Sequence, residues 1–172
     1  MKKLFLLGLA IILFVACQNQ PQRYFEASPE IETLKAGIEA YEAQNWDAWK
    51  ANFADSAKIF HNTNKGSSPD QLMAGMKQML SNFSAYKFSD EGEVYEMIID
   101  KNKETWVNYW GTWMGETNKT EKGISVPVHL TVQFVDGKIT QEYAYYDTSS
   151  INQALTEIAA AAEEEEETED AE

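Results

Sequence analysis

Apolar side chains recur at helical spacing in three stretches of the first half of the chain. The first stretch follows Ser28-Pro29, a hydroxyl side chain before a proline, which is typical of the first turn of a helix. The same pair returns at Ser68-Pro69, and Asn45 offers a capping side chain between the two. The pattern predicts helices that cover about residues 29–43, 46–54 and 69–83.

The period of the apolar positions changes from about 3.6 residues to 2 beyond Tyr86, and a period of 2 predicts strands. Asp136-Gly137, between two alternating runs, is the strongest short hairpin signal in the chain. A terminal helix or a frayed end is predicted over residues 151–162. The predicted strands are residues 57–61, 94–99, 105–114, 124–134 and 139–146.

Helices followed by a run of strands predict an α+β domain, with about three N-terminal helices packed on one face of a curved, mostly antiparallel sheet. The chain has 172 residues, of which 44% are hydrophobic and 12% aromatic. This length supports one domain with a substantial core but not two. The domain is predicted to cover residues 29–158.

The first residues have the pattern of a secretory leader. Lys2 and Lys3 precede an apolar run that ends at Ala16, which is too short for a membrane-spanning helix of ~20 residues. Residues 1–16 are therefore predicted to be a signal peptide, and residues 17–28, rich in Gln, Asn and Pro, a tether. Residues 159–172 are predicted to form an acidic disordered tail.

Val15-Ala16-Cys17 resembles the lipobox of bacterial lipoproteins, and Cys17 is the only cysteine of the chain. The resemblance implies a lipidated Cys17 and a membrane as partner; the alternative is an ordinary signal peptide in which Cys17 is incidental. Gln18 stands where an aspartate would retain an enteric lipoprotein in the inner membrane. The expected location is therefore the outer membrane, facing the periplasm.

Motifs near both ends of the domain resemble the SnoaL-like group of the NTF2-like superfamily. The opening segment, YEAQNWDAW followed by FADSA, covers residues 41–57, and the closing segment, DGKI followed by YYD, covers residues 136–147. The resemblance spans about residues 30–157 and implies a cone-shaped sheet that encloses an apolar ligand. It does not imply one activity, because this fold carries both enzymes and non-enzymes.

The formal net charge is −14, and no basic stripe is present, so nucleic acid is not an expected partner. Two histidines and one cysteine do not make a zinc set. The chain also lacks a glycine-rich phosphate loop and a Gly-x-Ser-x-Gly elbow. The sequence therefore predicts no metal and no cofactor.

Asp147 and His61 are the candidate catalytic residues. Asp147 closes the last strand, at the position that resembles the acid/base aspartate of SnoaL-like cyclases. In an apolar cone its pKa would rise towards the range of a general base; the alternative is a turn residue that caps the next three residues. Ketosteroid isomerases of this fold place an aspartate near His61, but His61 and Asn62 supply no carboxylate here. His61 is predicted to act as a base or as a hydrogen-bond partner of a ligand, or to be satisfied by the backbone.

Aromatic side chains on the strands could supply the walls of a pocket. The predicted ligand-binding residues are Trp106, Trp110, Tyr145 and His129. Alternation divides each strand into two faces, and the sequence does not decide which face turns inward. Packing in the core or against a second subunit is the alternative for each of these side chains.

Three functions remain open at this stage. The first is a lipid-anchored domain that binds a small apolar or amphipathic molecule without catalysis. The second is a cofactor-free cyclase, isomerase or hydrolase that uses Asp147 with His61. The third is a structural dimerisation module. A homodimer formed through the outer face of the sheet is compatible with all three.

Overall fold

The computed structural model describes residues 21–118 and 123–169, with side chains to residue 163. The leader and Cys17 lie outside the described residues. Four helices are described: α1 (Pro29–Glu42), α2 (Trp46–Ala51), α3 (Pro69–Leu80) and α4 (Ser149–Glu169). The described strands are β1 (Tyr24–Phe25), β2 (Phe53–His61), β3 (Phe83–Phe88), β4 (Val94–Ile99), β5 (Thr105–Thr117), β6 (Gly123–Val135) and β7 (Lys138–Tyr146).

The seven strands form one sheet in the order β1-β4-β5-β6-β7-β2, and β3 pairs with the far end of β5. All pairs are antiparallel except β2 with β7, which run parallel. The predicted α+β class, with helices on one face of a mostly antiparallel sheet, is confirmed. Three helices precede β3, and a fourth follows β7.

The helix starts follow from the capping residues in the sequence. The Ser28 hydroxyl accepts from the Ile31 N–H (3.2 Å), and Asn45 Oδ1 accepts from the Ala48 N–H (3.2 Å). At Ser68 the capping is reciprocal, because the Gln71 side chain also accepts from the Ser68 N–H. Helix α1 buries Ile31 and Leu34 in the core between the helices and the sheet.

A β-bulge near the start of β7 sets which of its side chains face the helices. Asp136 and Gly137 both have positive φ (50° and 73°), as a two-residue type I′ hairpin requires. The ladder pairs Phe134 with Ile139 and then Gln133 with Gln141, so Thr140 is an extra residue. Beyond Thr140 the register between β6 and β7 is therefore shifted by one residue from the register that the turn alone would set.

Two glycines on β5 leave room for aromatic rings on the concave face. A Cβ on Gly111 would lie 2.0 Å from the Tyr109 hydroxyl, and a Cβ on Gly115 would lie 2.4 Å from the Trp113 ring. Each ring therefore lies flat over the glycine two residues further along its own strand. Tyr109 and Trp113 are buried (0% and 5% exposed), and their rings close the cone towards β3 and β4.

Three boundaries differ from the sequence prediction. Phe53 belongs to β2 and not to the second helix, and the register of β2 shifts between Phe53 and Lys58. Phe83 begins β3. The sequence did not predict this strand, because Phe83 continues the helical spacing of the apolar residues on α3. Tyr24–Phe25, inside the predicted tether, pairs with β4, because the edge of β4 offers unpaired backbone groups.

Helix α4 also differs from the prediction, because it continues to Glu169 through the described part of the predicted disordered tail. All of residues 159–167 are alanine or glutamate, and both are good helix formers. The helix packs through Ile151 and Ala154. Among the helices of the described residues, none is long and apolar enough to cross a membrane.

We predict that Gly111→Ala lowers the free energy of unfolding by about 2 kcal/mol or more, because the new Cβ displaces the Tyr109 ring in a packed core. Gly75→Ala is the matched control, since nothing lies within 4 Å of its Cβ position on α3. That change should raise stability by about 0.5–1 kcal/mol. Urea unfolding measures both, and equal midpoints for Gly111→Ala and wild type would contradict the flat packing of Tyr109 over Gly111.

Candidate functional site

An apolar cavity of about 310 Å³ lies between the concave face of the sheet and all four helices. This volume is at the lower end of the range for small-molecule sites, roughly 300–1,000 Å³. The sheet side is formed by β2, β3, β5, β6 and β7. The sheet residues that line the cavity are Phe53, His61, Phe88, Trp113, Val126, Val128, Leu130, Ile139, Glu142, Ala144 and Tyr146.

The helices supply the opposite wall. Helix α3 contributes Leu72, Met76 and Met79, and the unbranched thioether side chains of methionine adapt readily to ligands of different shape. Helix α4 contributes Ile151 and Leu155. The sequence left the end of the chain as a terminal helix or a frayed end, whereas the structure makes it part of the cavity wall.

Three polar side chains meet at one end of this apolar cavity. His61 Nε2 lies 2.8 Å from Glu142 Oε1, and His61 Nδ1 lies 3.4 Å from the Tyr146 hydroxyl. The Glu142 side chain is only 8% exposed and that of His61 is 21% exposed. We call Glu142, His61 and Tyr146 the polar triad; its members come from β7 and from the end of β2.

The two neighbours of His61 restrict where its protons lie. An ionised Glu142 only accepts hydrogen bonds, so Nε2 carries a hydrogen. Nδ1 then either accepts from the Tyr146 hydroxyl or, in the imidazolium form, donates to it. In the imidazolium form the Tyr146 hydroxyl keeps its own hydrogen for a ligand acceptor in the cavity.

Tyr146 remains protonated over a wide pH range. Burial raises the pKa of its hydroxyl above the ordinary value, and the charge of Glu142 acts in the same direction. Tyr146 is therefore a hydrogen-bond donor at neutral pH. The triad can donate a hydrogen bond, and it holds an imidazole and a carboxyl group within hydrogen-bond distance of each other.

Asp147 does not share this cavity, which corrects the expectation that it points into the cone beside His61. Its side chain is exposed, and Oδ1 accepts from the Ser149 N–H (2.9 Å). Hydrogen bonds from the Ser149 side chain and backbone hold the pKa of Asp147 below its usual value. A general base needs a raised pKa, so Asp147 takes the turn role that the sequence left as the alternative.

The four predicted ligand-binding residues also lie outside the cavity. Trp110, His129 and Tyr145 occupy neighbouring positions on β5, β6 and β7, on the convex face of the sheet. Trp106 lies on the same face, with its ring 6.4 Å from that of Tyr143. The sequence placed Trp106 and Trp110 on one face of β5 without deciding which face turns inward, and in the structure that face turns away from the helices.

Sequence reasoning missed Glu142, and it included Tyr146 only among the aromatic residues that could supply a pocket wall. A hairpin without a bulge would pair Val132 with residue 141. Because Val132 faces the core, this register would turn residues 141, 143 and 145 inward. The bulge at Thr140 instead pairs Val132 with Glu142. The only hint in the sequence is that a glutamate, a small residue and an aromatic residue alternate at positions 142, 144 and 146.

Within residues 21–118 and 123–169, no group of three or more His, Cys, Asp or Glu side chains is arranged to hold a metal ion. The polar triad itself contains one histidine and one carboxylate. Its chemistry is that of hydrogen bonding and proton transfer.

Comparisons with known proteins give one family and a shared fold. The family model described as a SnoaL-like domain matches residues 34–142. A "putative polyketide cyclase" from Xanthomonas campestris pv. campestris is 18% identical, with a TM-score of 0.60 over 73% of this chain and 96% of that one. No curated protein sequence matches the chain.

Two further structures have the same fold. One is an NTF2-like protein of unknown function from Burkholderia pseudomallei K96243, 14% identical, with a TM-score of 0.58 over 76% of this chain and 99% of that one. The other, from Catenulispora acidiphila DSM 44928, has a ketosteroid isomerase-like fold and was solved with trimethylamine. It is 15% identical, with a TM-score of 0.55 over 70% of this chain and 88% of that one.

Proposed function

Since the chain belongs to the SnoaL-like domain family, whose NTF2-like fold encloses a cavity here, we propose that it binds a small apolar or amphipathic molecule in that cavity. The observation that carries this proposal is the cavity itself, about 310 Å³ of apolar space with a single polar triad at one end. Apolar walls with a few converging polar groups are the usual composition of a small-molecule site.

The lining indicates which ligand fits. Most of the wall is aliphatic, thioether or aromatic, so the body of the ligand is apolar. Its polar end carries a hydrogen-bond acceptor, such as a carbonyl oxygen, that faces the Tyr146 hydroxyl. An anionic ligand is disfavoured, because Glu142 lies in the same wall and the chain carries a formal charge of −14.

Filling the cavity should weaken ligand binding. N-phenyl-1-naphthylamine, a neutral dye whose fluorescence rises in apolar surroundings, is the probe. We predict that Val128→Phe, on the cavity wall, weakens dye binding about ten-fold or more, because the larger ring occupies the ligand volume. Val135→Phe is the control on the same strand, since Val135 is 51% exposed and does not line the cavity.

Thermal unfolding and circular dichroism establish that each variant is folded before the titration is compared. If Val128→Phe does not fold, Met76→Trp fills the cavity from the helical wall instead. Equal dye binding by wild type and a folded cavity-filled variant would contradict the proposal, because the dye would then bind elsewhere.

A second candidate is acid/base catalysis in the same cavity, and the polar triad is the observation that favours it. Glu142 orients His61 through the hydrogen bond to Nε2, and the histidine in turn contacts the Tyr146 hydroxyl. With His61 neutral, Nδ1 can take a proton from a carbon next to a carbonyl group while the electron pair moves to the carbonyl oxygen, which the Tyr146 hydroxyl can hydrogen-bond; Nδ1 then returns the proton to another carbon. Mass spectrometry of a co-purified carbonyl ligand after incubation in D₂O distinguishes catalysis from binding alone. If the site is catalytic, the wild-type protein exchanges a hydrogen of the ligand for deuterium and His61→Gln does not.

We also propose that the domain is held at the cell envelope by lipid on Cys17. Lys2, Lys3 and the apolar run before Val15-Ala16-Cys17 support this proposal. Two or three acyl chains give a stable anchor where one does not, since each buried methylene contributes ~0.8 kcal/mol. Gln18 favours the outer membrane as the location.

Replacing Cys17 by Ala should release the protein from membranes into the soluble fraction of the periplasm, because no sulfur is left to acylate. Cell fractionation and blotting measure the distribution. Cys17→Ser is a second variant that keeps the size and polarity of the position, and it should behave like Cys17→Ala. If both variants sediment with membranes as wild type does, the lipid anchor on Cys17 is wrong.

A further inference from the structure

The convex face of the sheet carries a row of three stacked rings, which we call the convex stack. Trp110 and His129 lie 4.7 Å apart between ring centroids at 24°, and His129 and Tyr145 lie 6.4 Å apart at 15°. The rings stand on three neighbouring strands, at positions that pair directly in the ladder. The cavity on the other face uses none of these three side chains.

The middle ring of the convex stack is fixed by the backbone. His129 Nδ1 lies 3.1 Å from the carbonyl oxygen of Tyr109, so Nδ1 carries the hydrogen and donates it. His129 pairs with Tyr145 in the ladder, and the two rings are nearly parallel. Tyr145 is 55% exposed and lies on β7, whose other neighbour in the sheet is β2.

An open depression lies on that side of Tyr145. It is lined by Phe60, Asn62, Thr63, Asn64, Tyr143 and Tyr145. Two of these residues, Phe60 and Tyr143, form a parallel pair with ring centroids 4.8 Å apart at 12°. The depression thus occupies the place where a fourth ring would extend the convex stack.

The loop beside the depression is held in place. Asn62 has a φ of 51°; its side chain donates to the Tyr146 carbonyl (2.7 Å) and accepts from the Tyr146 N–H (3.2 Å). These two bonds extend the pairing of β2 with β7 past His61. In contrast, the Asn64 amide and the Tyr145 hydroxyl make no hydrogen bond within the described residues, so both are available to a ligand.

The chemistry of the lining indicates one class of ligand. The depression combines exposed aromatic faces with amide and hydroxyl groups, and none of its six residues carries a charge at neutral pH. A saccharide ring matches both features, because its C–H face packs on an aromatic face and its hydroxyls bond amides and hydroxyls. Phosphorylated and other anionic ligands are disfavoured by the formal charge of −14.

We propose that this depression is a second binding site, for a neutral saccharide, in which one sugar ring stacks on the free face of Tyr145. Its hydroxyls bond the Asn64 amide and the Tyr145 hydroxyl. The convex stack orients Tyr145 before the sugar arrives, so less conformational freedom is lost on binding. The site is separate from the cavity and does not depend on the ligand that the cavity holds.

The test uses the full chain, purified without sugar-based detergents, and five neutral probes: the hexasaccharides of β-1,4-glucose, α-1,4-glucose, mannose, xylose and N-acetylglucosamine. Saturation-transfer NMR identifies a bound hexasaccharide, and calorimetric titration gives its Kd. Tyr145→Ala should raise that Kd about ten-fold or more, and Asn64→Ala about five-fold. Tyr24→Ala is the matched control, since Tyr24 is 49% exposed at the opposite edge of the sheet.

The expected result is that Tyr24→Ala and the cavity-filled Val128→Phe bind the hexasaccharide as wild type does. Three results would overturn the proposal. One is that none of the five hexasaccharides binds, and another is that Tyr145→Ala leaves the Kd unchanged. The third is a wild-type dimer, detected by sedimentation, that Tyr145→Ala dissociates, because the convex stack is then the interface with a second copy of the chain.

Discussion

The bulge at Thr140 is the constraint on which the site depends. The buried Gln133 side chain holds the bulge, because its Oε1 accepts from the Thr140 hydroxyl (3.3 Å) and the Gln141 amide (2.6 Å). One added residue exchanges the two faces of the strand beyond it. Glu142 and Tyr146 therefore face the helices, and the polar triad exists only in this register.

The same register creates the two chemically different faces of the sheet. On the concave face, Gly111 and Gly115 let Tyr109 and Trp113 lie flat, so the aromatic rings fill the cone near β3 and β4. The remaining space near β6 and β7 is the cavity, which α3 and α4 cover. On the convex face the displaced aromatic residues of β7 complete the convex stack with β5 and β6.

Most of the fold could be predicted from local signals, because caps and alternation act over a few residues. Ser28, Asn45 and Ser68 cap helices as predicted, and the Asp136-Gly137 turn forms the predicted hairpin. The site could be predicted only in part, through His61. Which face of the sheet turns inward depends on the bulge and on helix packing. Both involve residues far apart in the chain, so the sequence could not decide that Tyr145 and its neighbours lie on the convex face.

The proposed ligand lies beside the polar triad, on the concave face. The chain has two histidines, one in the triad and one in the convex stack, so the ring nitrogens report on both faces in one spectrum. The most direct measurement is a ¹⁵N spectrum of the imidazole side chains during titration with N-phenyl-1-naphthylamine. We predict that the His61 resonances shift until the dye saturates the cavity, while those of His129 stay in place. Shifts at His129 with an unchanged His61 would contradict it.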